Sequence, residues 1–351
     1  MAHYHLFPIE VGDALGQTRS TGGMLRSGLR SDPTPYLMQS GYEPVVYFTR
    51  RDLLELPVPA IAVLWSSREP SAILKLQQRD GRWRYPAGGD ARIRSRKGYD
   101  QLETYRRLGQ LVEKFGFNRS HPAISKAASF LFGQQTDEGD FRGIYGRQYS
   151  PNYTAGIMEL LIKAGYSEDS RIAAGFEWLF SIRQRDGGWA IPFRTVSGRA
   201  SWATIVSAMR APTMKPDLAK PSSHLVTGVV LRAFAAHARL RRSEEARVGG
   251  ELLASRIFKE DTYVDRKATS FWKSVSFPFW FTDVVSALDS LSWLGMTRRD
   301  RRIARALEWL KSRQSTNGRF RVKLLRTGDS RLDYWVCLAT SRVFKRFFSR
   351  S

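Results

Sequence analysis

Cysteine is nearly missing from this 351-residue chain, where Cys337 stands alone. A single thiol excludes an intrachain disulfide framework and any site built from several cysteine ligands. Histidine is sparse too, at positions 3, 5, 121, 224 and 237. Acidic residues fall short of basic ones, 33 against 56, which leaves a formal net charge of +23. The longest apolar run, "VPAIAVLW" at 58–65, stops well short of the ~20 residues a membrane span needs. The opening "MAHYHLFPIEVGDALG" lacks both the basic flank and the apolar stretch of a signal peptide. Glycine patterns of the P-loop and dinucleotide-binding kinds are also missing. These absences lead us to expect a cytoplasmic protein.

At 42% hydrophobic residues the chain can bury a sizeable core. Its charge is uneven. The last 55 residues hold 16 basic and 4 acidic side chains, so 16 − 4 = +12 of the +23 excess sits there. Such asymmetry points to an anionic partner: lipid headgroups, a diphosphate or nucleic acid. The competing explanation is a surface that simply favours arginine. Nucleic acid is the least favoured partner, because no recognised motif accompanies the charge.

One short pattern recurs four times. "LKLQQRDGRW" carries Gln78 and Trp83, and "LFGQQTDEGDF" carries Gln135 and Phe141. "FSIRQRDGGW" carries Gln184 and Trp189, and "LKSRQSTNGRF" carries Gln314 and Phe320. Each copy reads apolar residue, Gln, Gly, aromatic. The Gln-to-Gln spacings are 57, 49 and 130, and the last leaves room for one degenerate unit. An apolar stripe at helical spacing precedes each Gln, such as Ile303, Leu307 and Leu310 in the fourth copy. Pro122 and the stretch "TRRD" (Thr297 to Asp300) read as helix starts, the latter resembling a capping box. The Gln is then expected to satisfy carbonyls at a helix end, with Gly turning the chain and the aromatic packing back.

Between these one-sided helices lie segments apolar around most of their circumference, as helices buried on all sides are. Examples are "SHLVTGVVLRAFAAH" and "FWFTDVVSALDSLSWLG". Four carry an early threonine: Thr104, Thr154, Thr227 and Thr282. Alternation of the two kinds predicts an all-α chain folded as an α/α toroid of five to six helix pairs. The toroid domain is expected over 56–351. Residues 1–55 form a partly irregular segment, a candidate source of a sixth inner helix of the toroid, although its "SDPTPYLMQSGYEP" reads as loop.

The repeat resembles the QW motif of squalene-hopene cyclases and related terpene cyclases. The helix alternation resembles the toroid those enzymes share with protein prenyltransferase β subunits. The resemblance covers roughly residues 60–348 and implies a central cavity that holds an isoprenoid chain. It does not carry the activity with it. Class II terpene cyclases use an Asp-x-Asp-Asp acid, and no such stretch occurs here. The counterpart in position is "FWFTDVV", with the lone carboxylate Asp283 beside Phe279, Trp280 and Phe281. Asp283 is therefore the candidate general acid, with a pKa raised by aromatic walls. Its ordinary alternative is a helix N-terminal Asp facing the helix dipole. Prenyltransferases hold zinc through Asp, Cys and His. Asp333 and Cys337 share a helix face here and His224 could complete a triad, but the family's Asp-x-Cys spacing is absent, and no zinc is expected. Lanthionine cyclases need Cys and His ligands that the chain lacks. Glycosidases of similar shape need a carboxylate pair that the chain does not offer.

Ligand-binding candidates are the residues near the starts of the all-round apolar helices: Tyr105, Asn152, Tyr153, His224, Trp280, Tyr334 and Trp335. Aromatic walls suit a polyprenyl chain or a cation derived from one. Arg142, Arg147, Arg194 and Lys273 are candidates for a diphosphate, which would bring magnesium as its only cofactor. The tail "ATSRVFKRFFSRS" mixes Phe344, Phe347 and Phe348 with Arg342, Lys345, Arg346 and Arg350, a composition suited to an anionic bilayer. Two function classes follow: a cyclase-like enzyme acting on an isoprenoid, or a non-catalytic lipid-binding or interaction scaffold.

Overall fold

The computed structural model describes residues 28–197, 202–263, 268–325 and 329–349. His3, His5 and Arg350 lie outside them. The described chain is mostly helical. Five helices are buried nearly all round: α4 (Arg96–Phe115), α6 (Pro151–Leu161), α10 (His224–Ala236), α12 (Val284–Trp293) and α14 (Leu332–Ser349). Alternating with them are one-sided helices: α3 (Arg68–Leu74), α5 (Pro122–Phe132), α7 (Ser170–Ser181), α11 (Glu244–Arg256) and α13 (Arg301–Ser312). The contrast in burial is sharp. In α10 eleven of thirteen residues are buried, in α13 four of twelve. Two short helices, α8 (Pro192–Ser197) and α9 (Trp202–Arg210), lie between α7 and α10. The strand pairing β1 (Ser274–Val275) with β2 (Lys323–Leu324) is parallel.

The stretch that reads as loop holds a sixth pair. Its members are α1 (Thr34–Met38) and α2 (Glu43–Phe48), the latter running into a π turn over Thr49–Leu53. Both pack on α14, and α2 also meets α4. The buried helices therefore touch in the order α4, α6, α10, α12, α14, α2 and back to α4.

Local chemistry sets the helix ends. The His121 ring nitrogen accepts from the Ala123 N–H at the start of α5, with Pro122 in the first turn. Asp300, rather than Thr297 as the capping-box reading has it, caps α13 by accepting from the Arg302 N–H. The carboxylate's short reach suits that position. Gly116 stops α4 in the left-handed region at φ 63°.

The repeated motif is a clip, in a register one residue away from that suggested by spacing in two copies. Gln135 donates to Gly139 O (2.7 Å) and to Arg171 O (2.7 Å) at the start of α7. Gln314 donates to Gly318 O and to Ser31 O (2.8 Å) just before α1. In the first copy Gln77, not Gln78, makes these bonds, to Gly81 O (2.9 Å) and Ala123 O (2.8 Å). Gln78 donates only to Leu76 O nearby. In the third copy Arg183 takes the place, with its Nε donating to Gly187 O. Gln184 instead clasps the loop between α9 and α10 through Asp217 O and Lys220 O. The invariant is therefore a spacing of six to the aromatic. The aromatic's own N–H then bonds a buried helix: Trp83 to Thr104, Phe141 to Thr154 and Trp189 to Thr227, each at 3.0 Å. Thr282 does not share this role and donates to Leu225 O. Cys337 fills the fourth position, with the Phe320 N–H directed at its sulfur. Burial pushes that thiol up to about 12.

Candidate functional site

Two cavities lie along the buried helices, one at each end. The first, about 150 Å³, sits at the helix starts. Tyr105 of α4, Asn152 and Tyr153 of α6, Val226 and Val229 of α10, and Trp280 and Phe281 before α12 line it. Its rings meet edge to face: Tyr105 with Trp280 at 5.3 Å, Tyr105 with Tyr153 at 6.1 Å, and Tyr145 with Tyr153 at 5.1 Å. Such pairs fix ring orientation beyond what area burial does. Two glycines inside helices make room for them. A Cβ at Gly109 would stand 2.6 Å from the Trp280 ring, and one at Gly156 would stand 2.7 Å from the Tyr105 oxygen. The Asn152 amide donates to Tyr145 Oη (3.2 Å), and its buried oxygen has no protein partner.

The second cavity, about 900 Å³, opens at the helix ends. Phe48, Phe117, Phe277, Phe279 and Trp293 form its apolar wall. Seven basic and five acidic side chains also line it. At its inner end Arg232 pairs with Glu159 at 2.8 Å, both buried. Lys163 bridges Glu159 (2.8 Å) and Glu113 (2.6 Å). Burial pushes Glu159 up, but Arg232 and Lys163 outweigh it and hold the carboxyl below its ordinary value. Nearer the rim, Arg342 meets Asp52 at 2.5 Å, Lys345 meets Glu55 at 2.6 Å, and Arg346 meets Asp289.

Tyr105, Asn152, Tyr153, Trp280 and Arg194 come together on the wall of the smaller cavity. The other candidates lie elsewhere. His224 stacks on Trp272 at 4.8 Å and faces Asp261, with burial holding its pKa down. Tyr334 stacks on Tyr36 and Trp335 on Phe277. Arg142, paired with Glu138 and Asp140, borders one surface groove with Arg147 and Lys97, away from Arg194, and Lys273 is exposed. The four cations therefore do not converge. Phe344 and Phe347 are buried, and Phe348 packs against the core, so the tail's rings face inward. Asp333 is taken by the Tyr36 hydroxyl and Arg319, away from His224. No group of three metal-ligating side chains comes together among the described residues.

Asp283 caps α12. One of its oxygens accepts from the Val285 and Ser286 N–H groups, both at 2.9 Å. The other is buried without a hydrogen-bond partner. Burial raises the carboxyl to about 7, against the pull of backbone N–H groups and Arg232. Its neighbour Thr282 is on the cavity wall, and Asp283 is not.

Sequence reasoning misses Tyr145, Ile191 and Tyr263, which reach the cavity from outside the buried helices. Val226 and Val229 are legible in principle, because a spacing of three puts both on one helix face.

No family model matches the chain. A stretch of 105 residues, 30% of this chain, is 30% identical to a terpene cyclase–glycosyl transferase fusion protein from Humicola fuscoatra. The match spans 8% of that protein's length. Among solved structures, the type II terpene cyclase MstE from Scytonema aligns with a TM-score of 0.37 at 14% identity, over 80% of this chain and 95% of that one. A variant of it holding geranylgeranyl dihydroxybenzoate gives 0.34 at 12% identity, over 79% and 94%. A polysaccharide lyase gives 0.45 at 11% identity, over 94% and 98%. At these values the likenesses do not choose between such different chemistries.

Proposed function

We propose that the chain is an α/α toroid of six helix pairs that binds an isoprenoid or related lipid group in the aromatic cavity. The closed order of helix contacts supports the toroid. The observation that carries the function is the convergence of Tyr105, Tyr153 and Trp280, from three separate elements, on one small cavity. An apolar cavity of ~150 Å³ holds about one benzene-sized group. It suits one prenyl unit or ring, with the rest of a longer chain outside. The partnerless Asn152 oxygen offers an acceptor for a ligand hydroxyl.

The geometry favours binding over acid catalysis. A general acid must reach the atom it protonates. Asp283 is off the cavity wall, and one of its oxygens is committed to the cap. The cyclase reading keeps one supporting observation, the second Asp283 oxygen, which is buried and without a partner.

The test is titration of the purified chain with geraniol and farnesol, followed by tryptophan fluorescence. Saturable binding is expected, weakened about tenfold or more in Gly109→Ala, whose new methyl displaces Trp280. Absence of saturable binding overturns the reading. A cyclised product lost in Asp283→Asn would promote the enzyme reading instead.

A further inference from the structure

We propose that the end of the molecule carrying the larger cavity docks on an anionic lipid bilayer, with the loop 56–63 as its apolar foot. The loop reads LPVPAIAV and has no polar side chain. Leu56 is 45% exposed and Val63 43%, and Pro57, Pro59, Ala60 and Ala62 are exposed with them. Two prolines remove backbone donors that would otherwise need water. The Tyr47 hydroxyl takes Pro59 O (2.8 Å), Ile61 lies against Gly116, and Leu64 is buried. The loop is thus fastened from below and apolar above, an arrangement that marks an interaction surface.

Its position and surroundings choose the partner. Glu55 and Ile61 stand on the wall of the 900 Å³ cavity, and Trp293, 37% exposed, stands on the same wall. Tryptophan at such a rim suits the headgroup level of a membrane. Arg50 and Arg51 are exposed just before the foot, where the Arg50 carbonyl accepts from the Leu56 N–H (2.9 Å) and Arg51 pairs with Asp52 (2.6 Å). An apolar protrusion flanked by cations, on a chain of net charge +23, matches a negatively charged bilayer surface. No helix among the described residues is long and apolar enough to cross a membrane, so the contact is one of lying on the surface. The tail that composition alone suggests cannot serve, because its phenylalanines face the core.

The test is co-sedimentation of the full chain with vesicles of phosphatidylglycerol and phosphatidylcholine, and with phosphatidylcholine alone, at low and high salt. Binding is expected to the first, weakly to the second, and to fall with salt. Leu56→Ser with Val63→Ser lowers the partition constant at least about tenfold. Arg50→Glu with Arg51→Glu lowers it by about the same factor and weakens the salt dependence. Leu76→Ser, also exposed but on the wall of a different groove, leaves it unchanged. No binding to anionic vesicles overturns the proposal, as does binding that the Leu56/Val63 double variant retains. Vesicle binding is read without an isoprenoid, so its outcome is separate from that of the cavity titration.

Discussion

The two ends of the buried helices are built from the same elements and opposite chemistry. At the starts, α4, α6 and α10 present Tyr105, Tyr153 and Val229 to a small aromatic cavity. Within one to two turns along, the same helices present Glu113, Glu159 and Arg232 to a large charged one. The helix dipole explains part of the sorting. Helix C-termini carry partial negative charge and stabilise nearby cations. Lys163, Arg241, Lys345 and Arg346 all gather at that end. Part of the chain's basic excess is therefore structural. The ends are also fastened differently: side-chain clips onto backbone carbonyls, three through glutamine and one through Arg183, near the starts, and a network of ion pairs near the ends.

Removing a partner from the charged end should have the largest effect. Arg232→Met leaves the buried Glu159 with Lys163 as its one remaining cation and should cost about 3–5 kcal/mol in chemical denaturation. Because the folded Glu159 carboxyl lies below its ordinary value of 4.5, the ion-pair stability is full above that value. It is lost as pH falls through the lowered folded pKa, and the variant, with Lys163 alone beside Glu159, should show less of that acid sensitivity. A variant as stable as the parent would break the contrast.

Asp283→Asn comes next, and its sign is opposite. The folded carboxyl is raised from 3.8 to about 7, so the parent should lose stability as pH rises between those values. Asparagine keeps the cap without the charge. The variant should gain on the order of 2–4 kcal/mol relative to the parent above pH 7, read from melting curves across pH. Equal curves would place the carboxyl in contact with water.

The smallest effect sharpens the clip end. Gln77→Ala should cost about 1–2 kcal/mol by unpairing Ala123 O and Gly81 O, with little dependence on salt. Gln78→Ala should stay within about 0.5 kcal/mol. The reverse order would restore the register that spacing alone suggests.

Much of the helical layout was legible because its signals repeat. Helix alternation shows as stripes against all-round apolar segments, and each clip announces itself by Gln, Gly and an aromatic. The register was not, because "QQ" at 77–78 offers two candidates and Arg183 replaces a glutamine. α1 escaped detection because five residues are too few to display a helical period. The cavity was half legible. Residues on long buried helices could be placed near one end, whereas Tyr145 and Tyr263 depend on connecting segments whose course no periodicity reveals. Charged convergence was the least legible. Arg142 looks available in sequence and is consumed by Glu138 and Asp140 two to four residues away.

The fourth clip has Cys337 where the others have a threonine, and it ties the loop after α13 back to the residues before α1. Gln314 reaches Ser31 just as Gln135 reaches Arg171, and Gly28 lies against Phe348. The wall of helices thus has a seam but no physical first unit. A circularly permuted chain, joined across that seam by a short linker and opened at the turn 117–121, would keep every clip and every ion pair described. The clips and ion pairs do not depend on which helix pair comes first along the chain.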